Sequence, residues 1–108
     1  MIPQLAPIDL ARWRDDASRE APVLVDVREP WEFDLCRIDG SLLIPLGELP
    51  RRVTELPSGR TLVMVCHTGR RSQHAAMLLA EAGFADVHNL QGGVEAWALE
   101  IDPAMKRY

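Results

Sequence analysis

The sequence contains few residues that could form disulfides or bind a metal. It has only two cysteines in 108 residues, Cys36 and Cys66. A chain of this length needs no disulfide, and two cysteines without a C-x-x-C spacing do not make a zinc site. The three histidines, His67, His74 and His88, also lack a ligand spacing such as H-E-x-x-H. We therefore expect no metal and no cofactor, and each cysteine is either a core residue or a reactive one.

The chain also lacks a positive charge excess and any long apolar run. Its formal net charge is −4, which argues against a general nucleic-acid binder. No apolar run approaches the ~20 residues that span a bilayer, so no membrane partner is expected. The N-terminus "MIPQLAPIDLARW" does not resemble a secretory signal, because no basic segment precedes an apolar one. We expect one cytoplasmic domain over residues 1–108.

Short apolar runs alternate with helical patterns along the chain. The predicted strands are Pro22–Val27, Ser41–Leu46, Arg60–Cys66 and, more weakly, Ala85–Leu90. The predicted helices are Asp9–Arg19, Pro30–Leu35, Gly47–Leu56, Ser72–Gly83 and Val94–Leu99. Apolar strands alternating with helices predict an α/β fold with a central, mainly parallel sheet flanked by helices.

Polar segments follow two of the predicted strands. "DVRE" comes after Leu24 and Val25, and "CHTGRRS" comes after Met64 and Val65. In sheets of this kind ligands bind beyond the carboxyl ends of the strands. If these two strands are parallel neighbours, both segments lie on the same edge of the sheet and form one site.

Cys66 stands where a buried strand passes through a glycine-containing loop into a helix. Backbone N–H groups of such a loop can surround an anion, and the helix N-terminus adds the positive end of its dipole. Arg70 and Arg71 add full positive charge. These effects favour thiolate over thiol and would hold an anionic substrate against the sulfur. The pattern by itself is equally compatible with a buried cysteine that ends the strand.

The other loop residues each have two interpretations. Gly69 fits a position where a side chain would collide with a bound anion or where φ is positive, but it could also be a simple turn residue. His67 and Thr68 either contact substrate or are exposed loop positions. Arg70 and Arg71 have forked donors that suit oxyanions, although a charged pair at a helix start is often a solvated face.

The segment "CHTGRRS" resembles the active-site loop of rhodanese-family sulfurtransferases. That family's pattern is C-x-x-G-x-R-S, which is matched by Cys66, Gly69, Arg71 and Ser72. Three further stretches resemble family signatures in the same order: "LVDVREPWEF", "IDGSLLIPL" and "LLAEAGFADVHNLQGGVEAW". The resemblance extends over most of the chain and implies a single rhodanese-like domain.

The chain departs from the family pattern in two places. Cys36 and Arg37 stand where the family usually has Gly-His, and Asp39 replaces a proline. The tail "LEIDPAMKRY" lacks the usual G-x-P, and its Asp-Pro and Tyr108 resemble rhodanese domains joined to adenylating enzymes that charge sulfur-carrier proteins. The first departure affects the expected loop shape more than the expected chemistry.

The resemblance implies a double-displacement reaction. The Cys66 thiolate would take the outer sulfur of a donor such as thiosulfate, and cyanide, a small thiol or a protein thiolate would remove it from the resulting persulfide. The partners implied are a small sulfur donor and acceptor, with a sulfur-carrier protein or a desulfurase as further candidates.

The resemblance also implies roles for the surrounding residues. Backbone N–H groups from His67 to Ser72 would stabilise the persulfide, and Arg70 would contact the anionic end of the donor. Arg71 would hold the loop by pairing with a carboxylate, for which Asp26 and Glu29 are the candidates. Asp26, Arg28 and Glu29 are thus expected to be supporting residues.

The loop motif can also be compared with those of phosphatases and of non-catalytic binding modules. Phosphatases and arsenate reductases use a C-x5-R loop, whereas Arg71 is only five positions after Cys66, so this loop is one residue shorter. A non-catalytic rhodanese-like binding module commonly lacks the loop cysteine, which is present here. Cys36 is either a resolving thiol for the persulfide or a packed residue.

The remaining aromatic and histidine residues have structural interpretations. Large aromatic rings are expected to pack in or beside the core, and this applies to Trp13, Trp31, Phe33, Phe84 and Trp97. His88 is expected to be structural as well, and His74, one turn into the loop helix, is expected near the mouth of the site.

Overall fold

Five parallel strands form one sheet in the computed structural model, which describes all 108 residues. Their order across the sheet is β1-β5-β4-β2-β3, and every pairing is parallel. The strands are β1 (Gln4–Leu5), β2 (Val23–Asp26), β3 (Leu42–Leu43), β4 (Leu62–Val65) and β5 (Val87–Leu90). The predicted α/β fold with a central, mainly parallel sheet is confirmed.

Helices fill the connections between the strands. They are α1 (Pro7–Asp15), α2 (Pro30–Leu35), α3 (Leu49–Arg52), α4 (Arg70–Glu81) and α5 (Gly93–Glu100). Short 3-10 turns, Leu46–Glu48 and Val53–Glu55, flank α3. None of the helices has the length and apolar character needed to cross a membrane.

Helix α4 begins two residues earlier than predicted, at Arg70 instead of Ser72. Gly69 precedes it with φ +99°, a left-handed conformation that glycine adopts without a steric penalty. The chain therefore turns into the helix immediately after Gly69. As a result Arg70 and Arg71 lie in the first turn of α4.

The two edge strands differ most from the sequence prediction. β1 has only two residues and was not predicted, because so short a segment has no periodicity of its own. It is held by β5, where Asn89 N–H donates to the Pro3 carbonyl and Gln91 N–H to the Leu5 carbonyl, each at 2.9 Å. At the other edge, β3 ends before Pro45, which has no N–H for a sheet hydrogen bond.

The sheet separates two apolar clusters, because successive strand residues point to opposite faces. On one face Val25, Met64 and Cys66 pack with residues of α3 and α4. On the other face Leu24, Val63 and Val65 pack with residues of α1 and α5. Each fully buried aliphatic side chain contributes about 1.5–3 kcal/mol, so β4, buried throughout, is a rigid support for the loop that follows it.

Candidate active site

The carboxyl ends of β2 and β4 lie side by side, as expected for parallel neighbours. Asp26 is in register with Val65, and the pairing continues one residue further, since Val27 N–H donates to the Val65 carbonyl at 2.9 Å. The segments that follow the two strands therefore meet at one edge of the sheet. This is the edge at which ligands bind in parallel α/β folds.

Helix α5 supports the start of the cysteine loop from below. Val94 N–H donates to the Cys66 carbonyl at 2.9 Å, and Glu95 N–H donates to the His67 carbonyl at 3.0 Å. These are first-turn N–H groups, which have no partner within their own helix. A side chain at Gly93 would collide with the carbonyls of Cys66 and His67, so this close approach requires glycine.

Two donors lie within hydrogen-bonding distance of the Cys66 sulfur. Gly69 N–H is 3.1 Å from Sγ, and Ser72 Oγ is 3.2 Å from it. Cys66 is 1% exposed, so the sulfur sits at the floor of the loop. The first turn of α4 faces it with the positive end of the helix dipole. This arrangement brings hydrogen-bonding groups and the helix dipole to the sulfur and to any atom bonded to it.

A buried polar chain continues from Ser72 to the edge of the sheet. Ser72 Oγ is 2.5 Å from Asn89 Oδ1, and the Asn89 amide group donates to the Gly69 carbonyl at 3.1 Å and to Gln4 Oε1 at 2.8 Å. The single hydroxyl hydrogen of Ser72 can donate to Asn89 or to the sulfur, but not to both at once. Asn89 was not among the predicted site residues. It is one of two polar residues in β5, beside His88, and no motif distinguishes it.

Arg71 is joined to Glu32 by two parallel hydrogen bonds of 2.7 and 2.8 Å. Arg71 pairs with a carboxylate, as expected, but the two predicted partners are wrong. Glu29 precedes α2 and forms a capping box with Glu32, and Asp26 is engaged by Arg28. Donation by Arg71 is the main reason that the pKa of Glu32 falls to about 2.

Asp26 and Arg28 form a buried ion pair beneath the Arg71–Glu32 pair, which we call the clamp. Both side chains are 0% exposed, with Arg28 Nη2 2.7 Å from Asp26 Oδ2. The same nitrogen donates to the Cys36 carbonyl at 2.7 Å, which holds the chain at the end of α2. The pair therefore supports the site from below and lies away from its solvent-facing side.

Tyr108 lies over the loop and was not identified as a site residue by sequence. Its hydroxyl donates to Glu32 Oε2 at 2.7 Å and accepts from Arg28 Nη1 at 3.0 Å. Its ring stacks on His67 with centroids 3.9 Å apart and planes 9° apart. Burial and the Glu32 carboxylate raise the pKa of Tyr108 to about 12. The only signal in the sequence was the family resemblance of the tail.

Trp31 is the aromatic residue whose predicted position is wrong. Its side chain is 62% exposed instead of packed in or beside the core. It follows Pro30 in the first turn of α2 and contacts the Tyr108 ring edge-on, with centroids 5.7 Å apart. Glu32 is the one buried residue of α2, and its neighbour Trp31 lies on the outside of the helix.

A shallow groove of about 500 Å³ opens above the loop. It is lined by Leu46, His67, Thr68, Arg70, Arg71 and His74. His74 thus lies at the mouth of the site, as expected. Arg70 is exposed and forms no ion pair within the chain, so its guanidinium is available to an anion. A larger cavity of about 600 Å³, near Arg60 and Asp86, contains no cysteine.

Cys36 is buried, with 8% of its surface exposed. Its sulfur lies 3.7 Å from Arg28 Nη1, and its side chain belongs to the cluster on the face of α1 and α5. Cys66 belongs to the cluster on the other face. This placement favours the packed-residue interpretation of Cys36 over a resolving thiol. No group of three or more His, Cys, Asp or Glu residues is placed to hold a metal.

Comparison with known proteins points to one family. A family model described as the rhodanese-like domain matches residues 9–100. The Mycobacterium tuberculosis protein named "Probable adenylyltransferase/sulfurtransferase MoeZ" is 42% identical over 106 residues, which cover 96% of this chain and 26% of that protein. This chain therefore spans about a quarter of that relative's length.

A shorter relative and a solved structure agree with this match. A protein of Allochromatium vinosum named "Sulfurtransferase" is 39% identical over 82 residues, covering 76% of this chain and 77% of that protein. The crystal structure of a rhodanese-related protein from Thermoplasma volcanium is similar with a TM-score of 0.82 and 27% identity, covering 92% of this chain and 93% of that one.

Proposed function

The chain belongs to the rhodanese-like domain family, and on that premise we propose that it is a thiosulfate sulfurtransferase-like enzyme that works through a persulfide on Cys66. Its named relatives support sulfur transfer as the general activity. The observation that carries the proposal is the position of the Cys66 sulfur, with Gly69 N–H at 3.1 Å and Ser72 Oγ at 3.2 Å.

In the first half-reaction the Cys66 thiolate attacks the outer sulfur of thiosulfate. The new S–S bond forms as the S–S bond of thiosulfate breaks, and sulfite leaves with the bonding electrons. The terminal sulfur of the persulfide then carries the negative charge. The unpaired guanidinium of Arg70 and the side chains of His67 and Thr68 line the groove in which the oxyanion end of the donor would sit.

In the second half-reaction an acceptor attacks the terminal sulfur of the persulfide. Cyanide would leave as thiocyanate, and a thiol would leave as its own persulfide, while Cys66 returns to the thiolate. Until then the Gly69 N–H and the dipole of α4, both directed at Cys66 Sγ, would stabilise the anionic persulfide. The Ser72 hydroxyl would add to this when its hydrogen turns from Asn89 towards the sulfur. No redox cofactor or metal is needed to balance either step.

The position of Arg71 supports sulfur transfer over phosphate hydrolysis. A phosphatase of the C-x5-R type needs its arginine to bind the transferred group, but both guanidinium Nη atoms of Arg71 are bound to Glu32. The loop is also one residue shorter than that pattern. The presence of Cys66 favours catalysis over a purely binding role.

Membership of the rhodanese-like family also supports proposals for the domain extent, the substrates and the partners. We propose that residues 1–108 form one domain. β1 and Tyr108 lie outside the segment matched by the family model, but β1 pairs with β5 and Tyr108 contacts α2. A small sulfur donor and acceptor are proposed as substrates. The resemblance of the tail to rhodanese domains joined to adenylating enzymes is the ground for proposing a sulfur-carrier protein as a macromolecular acceptor, with a desulfurase as an alternative donor. A cytoplasmic location stays a prediction.

Intact mass spectrometry after incubation with thiosulfate tests the proposal. We expect the protein to gain one sulfur atom and to lose it when cyanide is added. The Cys66→Ser variant should gain none, because serine cannot form a persulfide, whereas the matched Cys36→Ala variant should behave as the wild type. Sulfur uptake by Cys66→Ser, or none by the wild type, would contradict the assignment.

A further inference from the structure

The tail Asp102–Tyr108 returns from α5 to the edge of the sheet that carries the cysteine loop. Asp102 N–H donates to the Trp97 carbonyl at 2.9 Å, and Met105 packs against the cluster on the face of α1 and α5. Arg107 forms an ion pair with Glu95 at 2.6 Å. These contacts hold the tail along α5 and place Tyr108 beside the cysteine loop.

We propose that Tyr108 is a positioning residue for sulfur transfer, acting on both ends of the Cys66 loop. Its ring holds His67, which directly follows Cys66. Its hydroxyl holds Glu32, the carboxylate that anchors Arg71 at the far end of the loop. The proposal rests on the sulfur-transfer function proposed above and assigns a role to a residue outside the loop motif.

The hydroxyl of Tyr108 completes the hydrogen bonding of Glu32. Glu32 Oε1 accepts from Arg71 at 2.7 Å and from Glu29 N–H at 3.0 Å, and Oε2 accepts from Arg71 at 2.8 Å and from Tyr108 at 2.7 Å. Glu32 is 4% exposed, so water cannot readily replace a lost donor. A buried carboxylate that loses one donor can turn towards another, and the Arg71 clamp would then loosen.

The same hydroxyl accepts a hydrogen bond from the buried Arg28 at 3.0 Å. Tyr108 therefore lies between a buried cation and a buried anion and contacts both. Because burial and Glu32 raise the pKa of Tyr108 to about 12, its phenol stays protonated and can donate to Glu32 throughout the pH range of ordinary assays. A phenylalanine at this position would leave both charged groups with one partner fewer.

The ring of Tyr108 acts on the other end of the loop. It lies flat on the His67 imidazole, with centroids 3.9 Å apart, and it makes an edge-to-face contact with Trp31, with centroids 5.7 Å apart. His67 lines the groove that opens above the cysteine loop. The stack therefore fixes the orientation of a groove residue, and loss of the ring would free His67 to rotate into the space where a donor binds.

Two variants separate the contributions of hydroxyl and ring. Tyr108→Phe keeps the stack and removes both hydrogen bonds, and Tyr108→Leu removes both features. The matched control is Lys106→Ala, which changes an exposed tail residue with no ion pair. Thiosulfate–cyanide turnover gives kcat and KM for each variant, and intact mass against time gives the rate of persulfide formation. Both are measured at a temperature where urea unfolding shows every variant to be folded.

We expect Tyr108→Phe to lower kcat about tenfold with little change in KM, because the lost hydrogen bonds are to charged groups. Tyr108→Leu should also raise KM by up to about tenfold, since aromatic stacking on His67 is lost. Lys106→Ala should match the wild type. A merely structural tail would lower the urea midpoint without this split between kcat and KM.

Alkylation of Cys66 by iodoacetamide keeps the test independent of the sulfur-transfer assignment. We expect both Tyr108 variants to alkylate at a changed rate and Lys106→Ala to alkylate as the wild type. If persulfide formation and alkylation in both Tyr108 variants stay within about twofold of the wild type, the positioning role is wrong and the proposed function stands. If the wild type forms no persulfide, the proposed function fails, and alkylation alone decides the role of Tyr108.

Discussion

Arg71 and Glu32 are 39 positions apart in the chain and are joined by a fork of two hydrogen bonds, 2.7 and 2.8 Å long. The pair connects the first turn of α4, which faces the Cys66 sulfur, to α2, which follows the neighbouring strand β2. Glu32 is 4% exposed, so the pair is held in a partly desolvated place where its geometry is well defined. It is the direct tie between the two segments that form the site.

This clamp should not tolerate a lysine in place of the arginine. Arg71→Lys keeps the charge but replaces two parallel donors by a single point charge. We expect sulfur transfer to fall about tenfold and the free energy of unfolding to fall by about 1–3 kcal/mol. Urea unfolding and thiosulfate–cyanide kinetics measure the two effects.

A double-mutant cycle identifies the partner of Arg71. Glu32→Gln and Arg71→Lys should be strongly non-additive, with a coupling energy of about 1–3 kcal/mol, because they break the same pair. Arg52→Lys is the matched control, since Arg52 forms ion pairs with Glu48 and Glu55, whose side chains are 39% and 49% exposed against 5% for Glu32. Additive effects of the two site variants would contradict the clamp.

Glu32 should make the protein sensitive to acid in a defined range. The pKa of Glu32 is lowered from 4.5 to about 2 in the folded state, so its contribution is fully present above about pH 4.5 and is lost as pH falls towards 2. The shift corresponds to about 3 kcal/mol at most, and we expect about 2 because Arg71 is partly exposed to solvent.

This contribution is measured by urea unfolding of the wild type and of Glu32→Gln. The measurements run from neutral pH to the lowest pH at which both proteins fold. The wild type should be the more stable at neutral pH, and the difference between the two proteins should shrink below about pH 4.5. Comparing the two proteins removes the effects of the other carboxylates. A difference that is constant with pH would show that Glu32 is not bound as described.

The Ser72 hydroxyl should affect both the reactivity of the Cys66 sulfur and the stability of the buried polar chain through Asn89. Ser72→Ala removes the hydroxyl 3.2 Å from Cys66 Sγ and leaves Asn89 Oδ1, in a residue 2% exposed, without this donor. We expect a loss of about 1–3 kcal/mol in the free energy of unfolding and slower persulfide formation, measured by intact mass against time.

Ser41→Ala is the control for Ser72→Ala. Its hydroxyl also makes a short hydrogen bond, 2.7 Å to the Ile38 carbonyl, but it lies outside the cysteine loop. This variant should form the persulfide at the wild-type rate. Equal rates in Ser72→Ala and the wild type would remove Ser72 from the proposed persulfide site.

Gly69 should resist substitution for two separable reasons. Its φ is +99°, and a Cβ there would lie 3.2 Å from the backbone nitrogen of Gly92. Gly83 has a similar φ of +101° but open space around it. Gly83→Ala therefore measures backbone strain alone, about 1–3 kcal/mol, and Gly69→Ala adds the steric contact.

We expect Gly69→Ala to be the less stable of the two variants in urea unfolding and to lose most of its sulfur transfer, because the Gly69 N–H would be displaced from the sulfur. Gly83→Ala should stay active once folded. If both variants keep full activity, the orientation of Gly69 N–H is not required for the reaction.

Several parts of this protein could be predicted from short segments of sequence. Strands β2 and β4 are short apolar runs, and helix α4 has a periodic apolar pattern. These signals are local to each element, so the type and order of the elements were confirmed with ends shifted by a few residues. The parallel direction of the strands followed from the strand–helix alternation, whereas the pairing of β2 with β4 was only a condition and is shown by the structure. β1 could not be predicted, because a two-residue strand exists only through its pairing with β5.

The partners of the loop could not be predicted because they are distant in the chain. Asn89, Glu32 and Tyr108 reach the loop from β5, α2 and the tail, and their sequence neighbours show no pattern that assigns them there. Which carboxylate meets Arg71 depends on how α2 is rotated by its capping box and by packing on the sheet. Such rotation is set by contacts across the whole fold.

The amino-acid sequence by itself determined the α/β class and the family motif of the loop, since Cys66, Gly69, Arg71 and Ser72 lie within seven consecutive residues whose geometry is mostly local. Only the tertiary structure decided that Glu32 holds Arg71, that Tyr108 covers His67, and that Cys36 packs on the face opposite Cys66. The reason is physical: short-range backbone geometry shapes the loop, whereas its anchors are chosen by long-range packing and by the need to pair buried charges.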